Sequence, residues 1–358
     1  MSVKIKTQSA ILFAAILAVA SGAFVQSTPK EFLLILSKHD HSLAIVDPST
    51  LKVVAKAPVG NDPHEVIAST DGKTAYVSNY GGGAFNTLTV IDLIAQKALG
   101  QIDLGALRGP HGLDFAGGKV WFTAEEAKAV GSYDPATQKI DWIFGTGQNR
   151  THMIRVSPDT RRIVTTNVSS ATVSIIESIA VRPSSPQPNQ QQGTNGAPPT
   201  GPPPGSPRPD WNQTLIPVGS GDEGFDISPD NKEIWTANSQ DGTISIINFI
   251  DKKVVQTLDA NVRSANRLKF TPDGKQVFVS MLGSSDVAVL DVATRKEVKR
   301  IPVGRGAAGI LMQPDGSRVF VACTPDNYVV AIDLKTLQIT ARIDGGPNPD
   351  GLAWATQH

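Results

Sequence analysis

Three of the chain's six histidines, His64, His111 and His152, fall at one recurring position of the sequence, and the same position later carries Glu223, Asn266, Ala308 and Asp350. Imidazole and carboxylate are the usual ligands of zinc, copper and related divalent ions. Three histidines with one carboxylate could hold such an ion and leave a position open for water or substrate. There the ion would polarise a carbonyl or lower the pKa of bound water. The expected metal set is His64, His111 and His152, with Glu223 as fourth ligand or as a hydrogen-bond partner of a ligand, and zinc or copper as the ion. Two other readings of the ring stay open. A polar mouth of this kind can bind a small molecule without metal, and repeats copy their residues together, so a shared position alone does not require a ligand.

The elements that position these residues follow from the spacing. The marks lie 47, 41, 71, 43, 42 and 42 residues apart. Between them one phrase returns: a short apolar strand, a Pro-Asp-Gly-like turn, a second strand, a polar loop, a third strand ending in Asp and a fourth ending in Val-Gly or Leu-Gly. The turns Ser69-Thr70-Asp71-Gly72, Ser157-Pro158-Asp159, Ser228-Pro229-Asp230-Asn231, Thr271-Pro272-Asp273-Gly274 and Gln313-Pro314-Asp315-Gly316 have the residues of a tight hairpin. The runs between them are β-branched, apolar and too short for helices. A period near forty with four strands per repeat predicts an all-β fold, the β-propeller.

Six complete repeats run from His64 onwards. The N-terminus supplies three more strands, near Phe32–Leu36, Ser42–Val46 and Val53–Pro58, and the C-terminus one, Gly351–Ala355. Together they make a seventh four-stranded blade, which closes the ring by pairing the two ends and hides the edges an open array would expose. The spacing of 71 is one repeat plus the segment 182–210, which holds ten of the chain's 25 prolines and almost no apolar side chains. It is expected to be a disordered or polyproline-like insertion within a blade, projecting from the face opposite the histidines.

In a propeller the first strand of each blade is innermost, so the marks should ring one mouth of the central channel. Glycine follows the mark at Gly112, Gly224, Gly309 and Gly351, as expected where backbones crowd near an axis. The loops between second and third strands face the same mouth. Asp350, Asn266, His39, His41, Asn79, Tyr80, Glu125, Asn167 and Asn238 are therefore candidate ligand contacts, with His39 and His41 placed to cap the ring. The acids Asp47, Asp92, Asp134, Asp291 and Asp333 recur where a turn is needed and are expected to form it. Cys323, the single cysteine, has no evident base beside it and is not expected to be a nucleophile.

Residues 1–23 have the form of a secretory leader: Lys4 and Lys6, an apolar run from Ala10 to Ala20, then small residues. Export to the periplasm or medium is expected, and no later segment is apolar enough to span a bilayer. Without Lys4 and Lys6 the 33 basic and 33 acidic residues leave a charge of about −2. That balance excludes a strongly basic nucleic-acid binder. One cysteine excludes an intramolecular disulfide, so core and ring closure must hold the fold, and a monomer suffices for that.

Tyr76-Val77-Ser78-Asn79 closely matches the motif that names the YVTN propeller repeat. With the Ser-Pro-Asp turns and the Val-Gly blade endings, the chain resembles YVTN-repeat proteins of the YncE type over all but its leader and its proline-rich insertion. The resemblance implies a seven-bladed propeller. It implies no single function, because such propellers include surface-layer proteins, lactonase-like enzymes, ligand binders and redox-associated proteins. Val120-Trp121-Phe122-Thr123-Ala124-Glu125 is similar to one repeat of the streptogramin (virginiamycin B) lyases, a metal-dependent propeller family. Three functional classes follow: a propeller binding a metal or small ligand at its mouth, a metal-dependent hydrolase or lyase acting on a lactone-like substrate, and a structural or partner-binding propeller.

Overall fold

The computed structural model describes Met1 and residues 31–181 and 208–358. Residues 2–30, which include nearly all of the expected leader, and segment 182–207 lie outside the described residues. The described chain forms seven antiparallel sheets of four strands each, arranged as the expected propeller. We number the blades from the one that contains both ends. The inner strands are Pro349–Thr356, Pro63–Ala68, Pro110–Ala116, Thr151–Val156, Asp222–Ile227, Ala265–Phe270 and Ala307–Met312, in blades 1 to 7. Each contacts the inner strand of the next blade, and that of blade 7 contacts that of blade 1, so the ring is closed.

Closure rests on Glu31–Ser37, which pairs with Pro349–Thr356 through Leu33↔Trp354, Leu34↔Ala353 and Ile35↔Leu352. Phe32, Leu34 and Leu36 point into a fully buried cluster with Val66, Val77 and Ile91 of blade 2. Each such side chain contributes about 1.5–3 kcal/mol by leaving water. The middle strands are buried on both faces and read as continuous apolar runs. The outer strands alternate, as Lys52–Pro58 does, because only one of their faces meets the neighbouring blade. Five of the seven outer strands begin with lysine, at positions 52, 97, 139, 253 and 296, a charge that discourages edge-to-edge association. The recurring acids cap turns: Asp92 Oδ1 accepts the backbone N–H of Ile94 at 2.8 Å, and Asp333 Oδ1 that of Thr336 at 2.7 Å.

Blade 4 corrects one boundary. Its outer strands extend as Thr172–Val181 and Arg208–Pro217, paired from Thr172↔Pro217 out to Val181↔Arg208. Residues 208–210, expected in the insertion, therefore lie in a strand. Among the described residues no helix is long and apolar enough to cross a membrane.

Three local devices fix the marked residues. Each inner strand breaks register at or beside its mark, as between Pro63 and Val66, Pro110 and Leu113, and Thr151 and Ile154, and such a bulge re-aims a side chain. A hydroxyl on the second strand of one blade holds the mark's carbonyl in the next: Ser78 donates to His111 O at 3.0 Å, Thr123 to His152 O at 2.7 Å and Thr166 to Glu223 O at 3.2 Å. The glycines confirm the expected crowding. A Cβ on Gly112 would lie 2.4 Å from His152 O, and one on Gly351 would lie 2.4 Å from His64 O.

Candidate metal centre

His111 and His152 project from adjacent inner strands with ring centroids 3.8 Å apart. Glu125, just past the second strand of blade 3 (Lys119–Ala124), leans one blade forward and pairs its Oε1 with His152 Nδ1. One ligand atom from each of His111, Glu125 and His152 lies within 4.8 Å of the others, and all three residues are buried. Tyr80, past the second strand of blade 2, also leans forward and donates to Glu125 Oε2 at 2.5 Å. Its ring stands 4.7 Å from that of His64 and 5.2 Å from that of His111.

The other side of His152 faces blade 5. His152 Nε2 is 2.9 Å from Glu223 Oε2, without the alignment of a hydrogen bond. Glu223 also meets Arg150 Nη1 at 3.2 Å, and Arg150 Nε is 3.8 Å from Glu125 Oε2. Arg267 of blade 6 pairs with Glu65 of blade 2, on nearly opposite sides of the ring.

Burial, and then the neighbouring charges of His152 and His64, keep His111 well below the ordinary imidazole range, so it is neutral. Its Nδ1 is buried and has no hydrogen-bond partner. Burial would lower His152 too, but Glu223 and Glu125 outweigh it and raise this histidine. Burial would raise Glu223, yet His152, Arg150 and Arg267 hold it down to about 2. Glu125 is likewise lowered against its burial, by His152, Tyr80 and Arg150. Burial together with the bond to Glu125 raises the Tyr80 phenol. An ionised carboxylate beside a neutral imidazole with an unused nitrogen is a donor set suited to a divalent transition metal.

The expected residues divide. His111 and His152 come together, with Glu125 as the nearest carboxylate, while Glu223 stands on the far nitrogen of His152. His64 is adjacent, its ring 5.0 Å from that of His111, but Lys38 Nζ lies 2.8 Å from its Nε2. Asp350 meets the same ammonium at 3.1 Å. Asn266 is buried, with its Oδ1 unpartnered. His39 and His41 sit exposed in the hairpin turn of blade 1, where His39 meets Asp40.

The side-chain amides of Asn79, Asn167 and Asn238 donate inside their own blades, while Asn238 Oδ1 is buried without a partner. Asn79 donates to the hydroxyls of Thr87 and Thr89 at 2.9 and 3.0 Å, Asn167 to Thr172 and Ser174, and Asn238 to Thr243 and Ser245. They clasp the second strand to the third. Cys323 is buried, and burial pushes its thiol up to about 12, in keeping with no nucleophilic role. Lys38, Arg150, Arg267 and Asp222 take part in or flank the site and carried no repeat signal in the sequence.

No family model matches the chain, and no curated relative matches it. Solved structures of similar fold do. A functionally unknown protein from Desulfotomaculum acetoxidans aligns with TM-score 0.69 and 14% identity over 91% of this chain and 99% of that one. A proposed 6-phosphogluconolactonase from Bacteroides uniformis gives TM-score 0.68 and 15% identity over 91% and 100%. A second protein so described, from Bacteroides fragilis, gives 0.67 and 16% over 92% and 99%. At these identities the likeness is one of fold.

Proposed function

We propose that this is an exported propeller of the YVTN type that binds one divalent transition metal at the mouth of its channel, through His111, His152 and Glu125. The observation that carries the reading is the buried convergence of those three donors, with His111 Nδ1 left without a hydrogen-bond partner. An unpaired buried polar atom costs about 1–3 kcal/mol, and a ligand there offsets that cost. Tyr80 orients Glu125, as outer partners of metal ligands do, and Arg150 lies against both Glu125 and Glu223. Zinc and copper suit two imidazoles and a carboxylate. Bound there, the ion would supply a Lewis acid.

The test is metal analysis of protein purified without a histidine tag and supplied with zinc and copper. Wild type should hold about one ion per chain, and the His111→Ala/His152→Ala variant should hold none. Equal trace metal in both would refute the site. A hydrolytic role towards lactone-like rings is a second reading, supported by the likeness to two proteins described as proposed lactonases and by a site with only three protein donors. Metal-dependent turnover of a lactone, lost in the same variant, would establish it.

A further inference from the structure

His64 shares the position of His111 and His152 and stands next to them, so its exclusion from the donor group needs a cause. Its ring is 5.0 Å from that of His111, yet neither of its nitrogens comes within 4.8 Å of a donor atom on every member of the group, so something holds the ring back. Both of its nitrogens are engaged. Nδ1 meets the backbone carbonyl of Asp62 at 3.2 Å, and Nε2 meets Lys38 Nζ at 2.8 Å. An ammonium has donors and no acceptor, so Lys38 consumes the lone pair that would otherwise bind metal.

Lys38 is itself held in place. Its ammonium lies 3.1 Å from Asp350 Oδ2 and 3.6 Å from Asp62 Oδ1, and its backbone N–H donates to Asn348 O at 3.0 Å. That bond continues the pairing of Glu31–Ser37 with Pro349–Thr356, so the seam between the two chain ends sets where the ammonium sits.

We infer that Lys38 is a positioning residue that holds His64 off the ion and keeps the coordination at His111, Glu125 and His152 open for an outside ligand. The inference rests on the metal reading above. Four protein donors make a closed, structural zinc site, whereas three leave a position for water or substrate. Lys38 thereby keeps the mouth on the open side of that division.

The experiment measures zinc affinity by chelator competition, and coordination by the visible absorption of the cobalt-substituted protein, for wild type, Lys38→Met, His64→Ala and Lys38→Met/His64→Ala. Circular dichroism confirms that each is folded, and Lys38→Ala replaces Lys38→Met if the latter is not. Freed of the ammonium, His64 should join the ion. Lys38→Met should then bind zinc about tenfold tighter or more, with a stronger cobalt band, and the double variant should return to the wild-type value. His64→Ala alone should change affinity less than about threefold, below the tenfold loss typical of a lost supporting group. Equal affinity and spectra in wild type and Lys38→Met would overturn the inference and leave the metal reading standing, and a tenfold loss in His64→Ala would do the same. Zinc in Lys38→Met but none in wild type would overturn both, since the wild-type mouth would then hold no ion for Lys38 to keep open. Zinc in neither would overturn both.

Discussion

Asp222 sits beside the site at the start of the inner strand of blade 5, with no solvent exposure. Its Oδ2 accepts the backbone N–H of Asn167 at 3.1 Å, and its Oδ1 has no partner. Burial raises its pKa from the ordinary 3.8 to about 8, against the hydrogen bond from Asn167. The folded protein thus retains a proton that the unfolded chain releases near pH 4. Its contribution to stability is fully present below that pH and is lost progressively as pH rises through about 8. At about 1.36 kcal/mol per pKa unit the loss has a ceiling of roughly 6 kcal/mol. Relaxation and water entry around the carboxylate bring the expected loss to about 2–4 kcal/mol. Asp222→Asn keeps an acceptor for Asn167 and cannot ionise. Urea unfolding with chelator present, followed by tryptophan fluorescence, should give variant and wild type similar stability at pH 4. At pH 9 the variant should be more stable by about 2–4 kcal/mol, the same loss now avoided. A difference between the two proteins that does not change with pH would refute the argument, because it would mean that Asp222 is ionised in the folded state throughout.

Two further outcomes test how the site is held. Gly112→Ala places a Cβ 2.4 Å from His152 O, so it should cost about 1–3 kcal/mol and weaken zinc binding by shifting His152. Gly145→Ala has nothing within 4 Å of the added Cβ and should stay within about 0.5 kcal/mol of wild type. Asn79→Ala and Asn238→Ala should each destabilise by about 1–3 kcal/mol, since buried hydroxyls lose a shared donor. Their zinc affinity should match wild type, and a marked loss would return these residues to the ligand-binding surface.

The propeller was legible because one blade cannot vary much and still pack against two others. The turns, the two-faced burial of middle strands and the spacing near forty all follow from that constraint. The shared position of His111 and His152 was legible for the same reason. The choice of Glu125 over Glu223 as the nearest carboxylate was not, because it depends on loop residues leaning one blade forward, as Tyr80 does towards Glu125 and Glu125 towards His152. The pair Glu65 and Arg267, 202 residues apart, could not be read from any local pattern. Asn79, Asn167 and Asn238 were placed at the correct end of their blades but assigned to the channel. A signal for these amide contacts was available: in these three blades the third strand opens with two hydroxyl residues spaced by two, Thr87 and Thr89, Thr172 and Ser174, Thr243 and Ser245. That spacing puts both hydroxyls on one face of a strand, within reach of an amide on the neighbouring strand.

The devices that hold the marked positions act on the backbone, and this separates position from chemistry. Ser78 and Thr123 bind carbonyl oxygens, and the glycines meet carbonyl oxygens of the next blade. None of these contacts depends on which side chain the mark carries, and blade 7 carries alanine there, at Ala308, stitched in the same way by Ser280. A ring built so can exchange one mark without losing a blade, and this is how neighbouring blades come to hold histidine, glutamate, asparagine and alanine at one geometric position. It follows that removing a donor at the mouth should cost binding far more than folding. The loops that lean inward are different, because Tyr80 and Glu125 reach the channel only by crossing to the next blade. Their places depend on each other and on His152, so the centre is tuned through the loops, while the inner strands supply a fixed frame.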